Sequence, residues 1–166
     1  MTPEERTLWL AERRKGIGGS DVAALLGMSP WMTPFQLYLD KLGELPEKPD
    51  NAAMRMGRKL EPVVREMYEE ESGNDVEVTG SEVFKDDTLP FMQATLDGIV
   101  SESIEVDGSM LAGMSRGVFE AKTSRAGAGF GPSGSQEIPR AYLLQVMHYM
   151  IVTGFRWADI AVLIGG

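Results

Sequence analysis

Cysteine is absent from this chain and histidine occurs once, at His148. The first absence excludes a disulfide framework and any thiolate metal site. The second excludes a centre built from several imidazoles. No apolar run approaches the length that spans a bilayer, and the opening Met1-Thr2-Pro3-Glu4-Glu5 is not a secretory signal. A cytoplasmic protein without a membrane partner is the expectation. The remaining composition, 43% hydrophobic and 25% charged, is that of a soluble globular protein. A length of 166 residues suffices for one domain with a real core. Basic residues are the scarcer sign, and the net charge of −9 lowers the expectation of a nucleic-acid partner without excluding it. Most acids lie in solvated-looking runs such as Glu69-Glu70-Glu71 and Asp86-Asp87. The bases are more clustered, at Arg13-Arg14-Lys15 and at Arg55, Arg58, Lys59 and Arg65. Acids that hold a metal are neutralised by it in any case.

There is no internal repeat and no extended low-complexity tract. Thr2-Pro3-Glu4-Glu5 has the form of a capping box with proline at the first helical position, which predicts a helix to about Arg14. Gly16 to Gly19 breaks it, and Ser20 is expected to cap a short helix from Asp21 to Leu26 that stops at Gly27. Thr33-Pro34 opens a third helix, ended by Gly43, and Leu45 to Asp50 is a loop. From Ala52 to Glu71, Met56, Leu60, Val63, Val64 and Met67 recur at helical spacing, and Pro62 is expected to kink that helix or mark a restart. Strands are expected over Val76 to Phe84, Phe91 to Val100 and Gly117 to Thr123. The glycine- and serine-rich Ser124 to Gln136 is a loop. Pro139 starts a helix to about Thr153, with Leu143, Val146, Met147, Met150 and Ile151 as its buried stripe. The nearly all-apolar Trp157 to Ile164 is expected as a central strand covered on both faces. The order predicts an α/β or α+β architecture.

Two short stretches carry the chemistry. Residues two apart on a strand share a face, so Glu120 and Lys122 stand together while Phe119 and Ala121 turn away. Asp97 ends an earlier strand at Leu96-Asp97-Gly98. Two carboxylates suffice for a magnesium ion, which takes one or two protein carboxylates plus waters. A lysine beside them could act as a general base on water. The plain alternative is a salt-bridged pair on a half-exposed strand. The second stretch is Arg13-x-x-Gly16-Ile17-Gly18-Gly19-Ser20-Asp21. A glycine-rich loop entering a helix attracts phosphate, with Arg13 adding a bidentate donor and Ser20 a hydroxyl; the alternative is a serine-capped turn. It lacks the spacing of a nucleotide-binding P-loop. Glu61, on a face with Gly57, Val64 and Tyr68, and Gln145, on the polar face with Tyr142, His148 and Tyr149, could each reach a metal or its waters, or be solvated surface. His148 is read as structural or surface. Met54, Met56, Met67, Met92, Met147 and Met150 are expected in the core, and Trp31 packs or, as a minority alternative, stacks on DNA.

In order, Ile17 to Gly27, Ser29-Pro30-Trp31, Gly57-x-x-Leu60-Glu61-Pro62, Leu96-Asp97-Gly98, Glu120-Ala121-Lys122-Thr123 and Ile138-Pro139-x-x-Tyr142-x-x-Gln145-Val146-x-His148-Tyr149-Met150 resemble the YqaJ-type viral recombinase family. That family is similar to phage lambda exonuclease, of the PD-(D/E)XK nucleases. The resemblance runs from Trp9 to Ile164. It implies a restriction-endonuclease-like central mixed sheet flanked by helices. The span 1–166 would be a single nuclease domain lacking the family's C-terminal strand and helix. By the same resemblance Asp97, Glu120 and the main-chain carbonyl of Ala121 would ligate Mg2+, with Mn2+ able to substitute, and Glu61 would assist a second ion. Lys122 would orient and deprotonate the attacking water, and Gln145 would position that water or the lysine. Arg13 and Ser20, with Gly18 and Gly19, would hold the 5′-phosphate of the digested strand. Three departures stand out: Thr95-Leu96 precedes Asp97 where a proline is usual, the loop after Lys122 lacks an expected tryptophan, and relatives continue past Ile164.

The implied activity is magnesium-dependent 5′→3′ exonuclease digestion of double-stranded DNA ends in phage-type recombination, hydrolysing phosphodiester bonds with a metal-activated water. A homo-oligomer, trimeric by resemblance, a single-strand annealing protein as partner and a bacterial host cytoplasm belong to the same expectation. A structure-specific endonuclease on this core and an inactive DNA-end-binding module are the rivals.

Overall fold

A computed structural model describes residues 2–46, 50–106 and 109–165. In chain order these form α1 (Pro3–Arg14), α2 (Gly19–Leu25), α3 (Pro34–Leu42), α4 (Ala52–Ser72), β1 (Asp75–Glu77), β2 (Phe84–Lys85), β3 (Gln93–Ala94), β4 (Gly98–Val106), β5 (Ser109–Ser124), α5 (Arg140–Thr153) and β6 (Ala158–Ile164). The class is mixed α+β, as expected. Two compact units interleave along the chain. One takes Met1–Lys48, Val83–Thr95 and Arg140–Thr153, the other Pro49–Glu82, Leu96–Pro139 and Gly154–Gly166.

The second unit is a four-stranded mixed sheet in the order β1-β4-β5-β6 with α4 against it. β1 and β5 both run antiparallel to β4, and β6 runs parallel to β5. Asn51 starts α4 by accepting the Met54 N–H at 2.9 Å, and Gly73 ends it in the left-handed region. The helix runs through Pro62 without the restart that residue suggested. Val76, Val100 and Phe119 form the buried core, packed by Tyr68, Ala121, Trp157 and Ala161. Tyr68 fastens α4 to this core. Its ring lies 5.0 Å from that of Phe119, and its hydroxyl donates to Asp159 at 2.6 Å. Burial, then that hydrogen bond, push the Tyr68 phenol up to about 12.

Several expected strands have different bounds. Val76 to Phe84 divides into β1 and β2, with Gly80 at positive φ between them. Phe91 to Val100 divides into β3 and β4, because the backbone leaves the ladder over residues 95–97. β6 is an edge strand among the described residues, half-buried along most of its length, and not the central strand its apolar run implied. Apolar side chains on both faces can be partly covered without two flanking strands, so hydropathy alone did not settle strand order. Met54, Met56, Met67 and Met147 are exposed, against the expectation of core positions. The loop expected over 45–50 and the capping box at Thr2 fall partly outside the described residues and side chains.

In the first unit α2 packs on α5, and the short β2–β3 hairpin joins them. Thr33 and Gln36 form a reciprocal capping box for α3, which Gly43 ends at φ +74°. The chain after α1 lies alongside β3: Ile17 N–H donates to Phe91 O at 2.6 Å and Gln93 N–H to Ile17 O at 2.9 Å. Gly19 admits the Tyr149 ring so closely that a Cβ there would overlap it. The buried face of α5 is Gln145, Val146, His148, Tyr149 and Val152, whereas Leu143, Met147 and Ile151 are 38%, 49% and 60% exposed. The stripe read from the sequence is therefore largely the outer face. Apolar residues occupy both sides of this helix, and the polar ones turned inward find partners. His148 Nε2 hydrogen-bonds the Gln93 carbonyl at 2.9 Å, and Gln145 Nε2 donates to Tyr149 Oη at 2.9 Å.

Candidate active site

The acid–acid–lysine set lies wholly in the second unit. Alternation along β5 puts Phe119 and Ala121 into the core beside α4, which turns Glu120 and Lys122 to the other face. Glu120 is only 2% exposed. Lys122 Nζ donates to its Oε1 in a close ion pair. Asp97 arrives from the start of β4. The β4–β5 ladder registers Gly98 opposite Phe119, so one step further out the strand edge is open, and the Asp97 carboxylate fills it by accepting the Ala121 N–H at 2.9 Å. Within a strand the N–H and C=O of one residue face the same neighbour. The Ala121 carbonyl is thus directed to the edge that Asp97 occupies. Gly98 follows Asp97 because a Cβ there would meet Val76 and the Glu77 carbonyl.

Electrostatics mark the set as a unit. Burial pushes the Glu120 carboxyl up to about 7; the Lys122 ammonium pulls it down, while the Asp97 charge pushes it further up. Asp97 is raised by burial as well, offset by the Ala121 N–H, Lys122 and a hydrogen bond with Glu120. Two raised carboxyls side by side leave this pair short of positive charge. Glu61, half-buried on α4, is raised first by burial and then by the Asp97 charge, and lowered by Arg65 and Lys122. Its field reaches the pair. Among the described residues, however, no three Asp, Glu, His or Cys side chains converge as a ligand set. The donor set is two carboxylates and a strand-edge carbonyl, hard oxygens that suit Mg2+ with water completing its shell. A cleft of about 680 Å³ along β6, lined by Phe130, Ile138 and Leu163 among others, includes none of these acids.

Arg13, Gly18, Gly19, Ser20 and Gln145 belong to the first unit. Arg13 Nη2 donates to Ser20 Oγ at 2.7 Å and lies 3.4 Å from Asp21 Oδ1, with the guanidinium 5.4 Å over the Trp9 ring. Ser20 does not cap α2. Gly18 holds the N-cap position, and its N–H donates to Asp21 Oδ2 at 2.9 Å. Aspartate three residues past the cap wins because its carboxylate satisfies that donor from inside the helix. Gln145 is buried, not solvated, and its partner Tyr149 is the ring that fills the space beside Gly19. Trp31 stacks on Tyr142 with centroids 5.9 Å apart. Sequence reasoning passed over Asp21 and Lys41, whose Nζ donates to Asp21 Oδ2 at 2.6 Å. The Gly18–Asp21 spacing was a usable signal for the first; nothing local signals the second, which arrives from α3.

A computed likeness to solved structures supports the fold. The chain aligns over 95% of its length with 74% of an alkaline exonuclease (LHK-Exo) from Laribacter hongkongensis, at 24% identity and a TM-score of 0.65. The same enzyme in complex with dAMP gives 24% identity and 0.65 over 94% of this chain and 73% of the other. In sequence, the chain is 37% identical over 164 residues to the uncharacterized protein YqaJ of Bacillus subtilis (strain 168). That match takes in 97% of this chain but spans 47% of the relative, about half its length. The family described as YqaJ-like viral recombinase domain matches residues 8–156, a stretch that holds Arg13, Glu61, Asp97, Glu120, Lys122 and Gln145. The chain belongs to the YqaJ-like viral recombinase domain family.

Proposed function

We propose that this chain is a metal-dependent deoxyribonuclease of the PD-(D/E)XK kind, digesting duplex DNA 5′→3′ from its ends. The observation that carries this reading is Asp97 beside the buried Glu120, with Lys122 on Glu120. Asp97, Glu120 and the Ala121 carbonyl would hold Mg2+ or Mn2+, and Glu61 would assist a second ion. When bound, the metal supplies Lewis-acid neutralisation of charge at the scissile phosphate and makes water more acidic. Lys122, held by Glu120, would orient the attacking water and, once its ammonium has released a proton to solvent, would take up the water's proton at Nζ as the free amine. Arg13 and Ser20 hold the 5′-phosphate, which selects the strand to be cut. The relative named as an exonuclease supports the choice of reaction, and family membership supports its setting in recombination.

The test uses linear duplex DNA with each end blocked in turn, incubated with and without Mg2+. Loss of label from the open 5′ strand only with metal is expected. Lys122→Ala should lose cleavage by at least about a hundredfold, the usual scale of general-base removal, and keep its affinity for DNA. Cleavage at the wild-type rate in that variant would refute the reading, and nicking of supercoiled plasmid by the wild type would favour an endonuclease on the same core.

A further inference from the structure

The Arg13 guanidinium faces a local difficulty as an anion receptor, because its own neighbour Asp21 is an anion. Asp21 is deeply buried, at 6% side-chain exposure, and its Oδ1 lies 3.4 Å from Arg13 Nη2. Taken alone the pair would be neutral and would offer a phosphate little attraction. Lys41 changes that balance. From α3 its Nζ reaches Asp21 Oδ2 at 2.6 Å, closer than Arg13 does, and the same ammonium donates to the Arg13 carbonyl at 3.2 Å. The Gly18 N–H is the third donor to that carboxylate. Two cations therefore share one buried anion, and the surplus charge lies on the more exposed of them: the Arg13 side chain is 39% exposed and that of Lys41 15%.

We infer that Lys41 is a positioning residue for end recognition: it saturates Asp21 so that the Arg13 charge remains available to a 5′-terminal phosphate. The inference rests on the reading of Arg13 and Ser20 as the phosphate holders. A purely structural Lys41, tying α1 to α3, would weaken binding to every DNA end alike. A charge-balancing Lys41 matters for phosphorylated ends only.

The experiment measures fluorescence anisotropy of short duplexes bearing a 5′-phosphate or a 5′-hydroxyl, in EDTA so that cleavage plays no part. Wild type is expected to favour the phosphorylated end roughly tenfold, the scale of one charge-assisted contact. Lys41→Met should reduce that ratio to about twofold, Lys41→Arg should keep it, and Asp21→Asn combined with Lys41→Met should restore it by removing both charges together. A folded Lys41→Met with the wild-type ratio overturns the inference, as does equal weakening at both ends. Should a thermal melt show Lys41→Met unfolded, the double variant decides, and loss of its phosphate preference is the adverse result. No preference in wild type removes the phosphate pocket itself, and this inference with it.

Discussion

Glu120→Gln should make the metal-free protein more stable at alkaline pH. The Glu120 carboxyl stands at about 7 in the folded chain against an ordinary 4.5. A raised acid binds its proton more tightly when folded, so its ionisation destabilises the fold at pH values above both figures, and that destabilisation fades as pH falls from about 7 toward 4.5. The difference corresponds to roughly 3 kcal/mol as an upper figure. Glutamine mimics the neutral carboxyl in shape and removes the need to ionise. The Lys122 contact already lowers the Glu120 value, so losing that pair is included in the comparison and leaves a net gain on the order of 1–3 kcal/mol. For a chain of this length that is a rise in Tm of about 3–10 °C. The assay is a thermal or urea melt in EDTA at several pH values from 5 to 8.5. Wild type should gain stability as pH falls below about 7, and the variant's advantage should shrink toward nothing near the acid end. A variant no more stable than wild type at the alkaline end, or one whose advantage grows as pH falls, refutes the claim that the buried carboxylate is held ionised at a cost to the fold.

Mg2+ should raise the Tm of wild type, more so as pH rises through about 7, because the ion binds the ionised Glu120 carboxylate and competes with its proton. The shift should vanish in Glu120→Gln, and an equal shift in both proteins would place the ion elsewhere. Gly19→Ala should destabilise by about 1–3 kcal/mol, since the new methyl would overlap a Tyr149 ring that is buried and hydrogen-bonded to Gln145; an unchanged urea midpoint would show that the ring can yield.

The parts of this structure that were legible in the sequence are those set by local chemistry. Thr33-Pro34 and Gly43 bound α3 through their capping chemistry, and the helix read from Ala52 to Glu71 by its periodicity is α4, one residue longer. Two-residue alternation was enough to put Glu120 and Lys122 on one face and Phe119 on the other. The same alternation could not tell that Glu120 would be buried to 2% exposure, because nothing in a strand's own sequence reports what covers it. α5 failed for a related reason. Leu143, Met147 and Ile151 are as apolar as Val146 and Val152, and the deciding groups were Gln145, His148 and Tyr149, whose partners come from their own helix and from β3. Ser20 looked like a cap because serine favours that place; Asp21 satisfied the Gly18 donor instead and left the hydroxyl to Arg13. Lys41 lies 20 residues from Asp21, a separation no local rule bridges.

The acidic balance that weighed against a nucleic-acid partner is unevenly divided. The second unit holds sixteen acidic and eight basic residues, the first nine and eight. Nearly all of the net charge thus falls on the unit that carries Asp97, Glu120 and Glu61, while Arg13 and Lys41 sit in one close to neutral. Repulsion of a polyanion is strongest where the carboxylates are, and a divalent cation bound there would invert the local field. The first unit needs no metal to meet a phosphate, because its one buried acid near Arg13 is already matched by Lys41. A strongly acidic chain and a DNA substrate are therefore compatible on physical grounds: the unfavourable charge is concentrated in the unit where the proposed chemistry demands a counter-ion, and the groups proposed to grip the end belong to the unit that is nearly neutral.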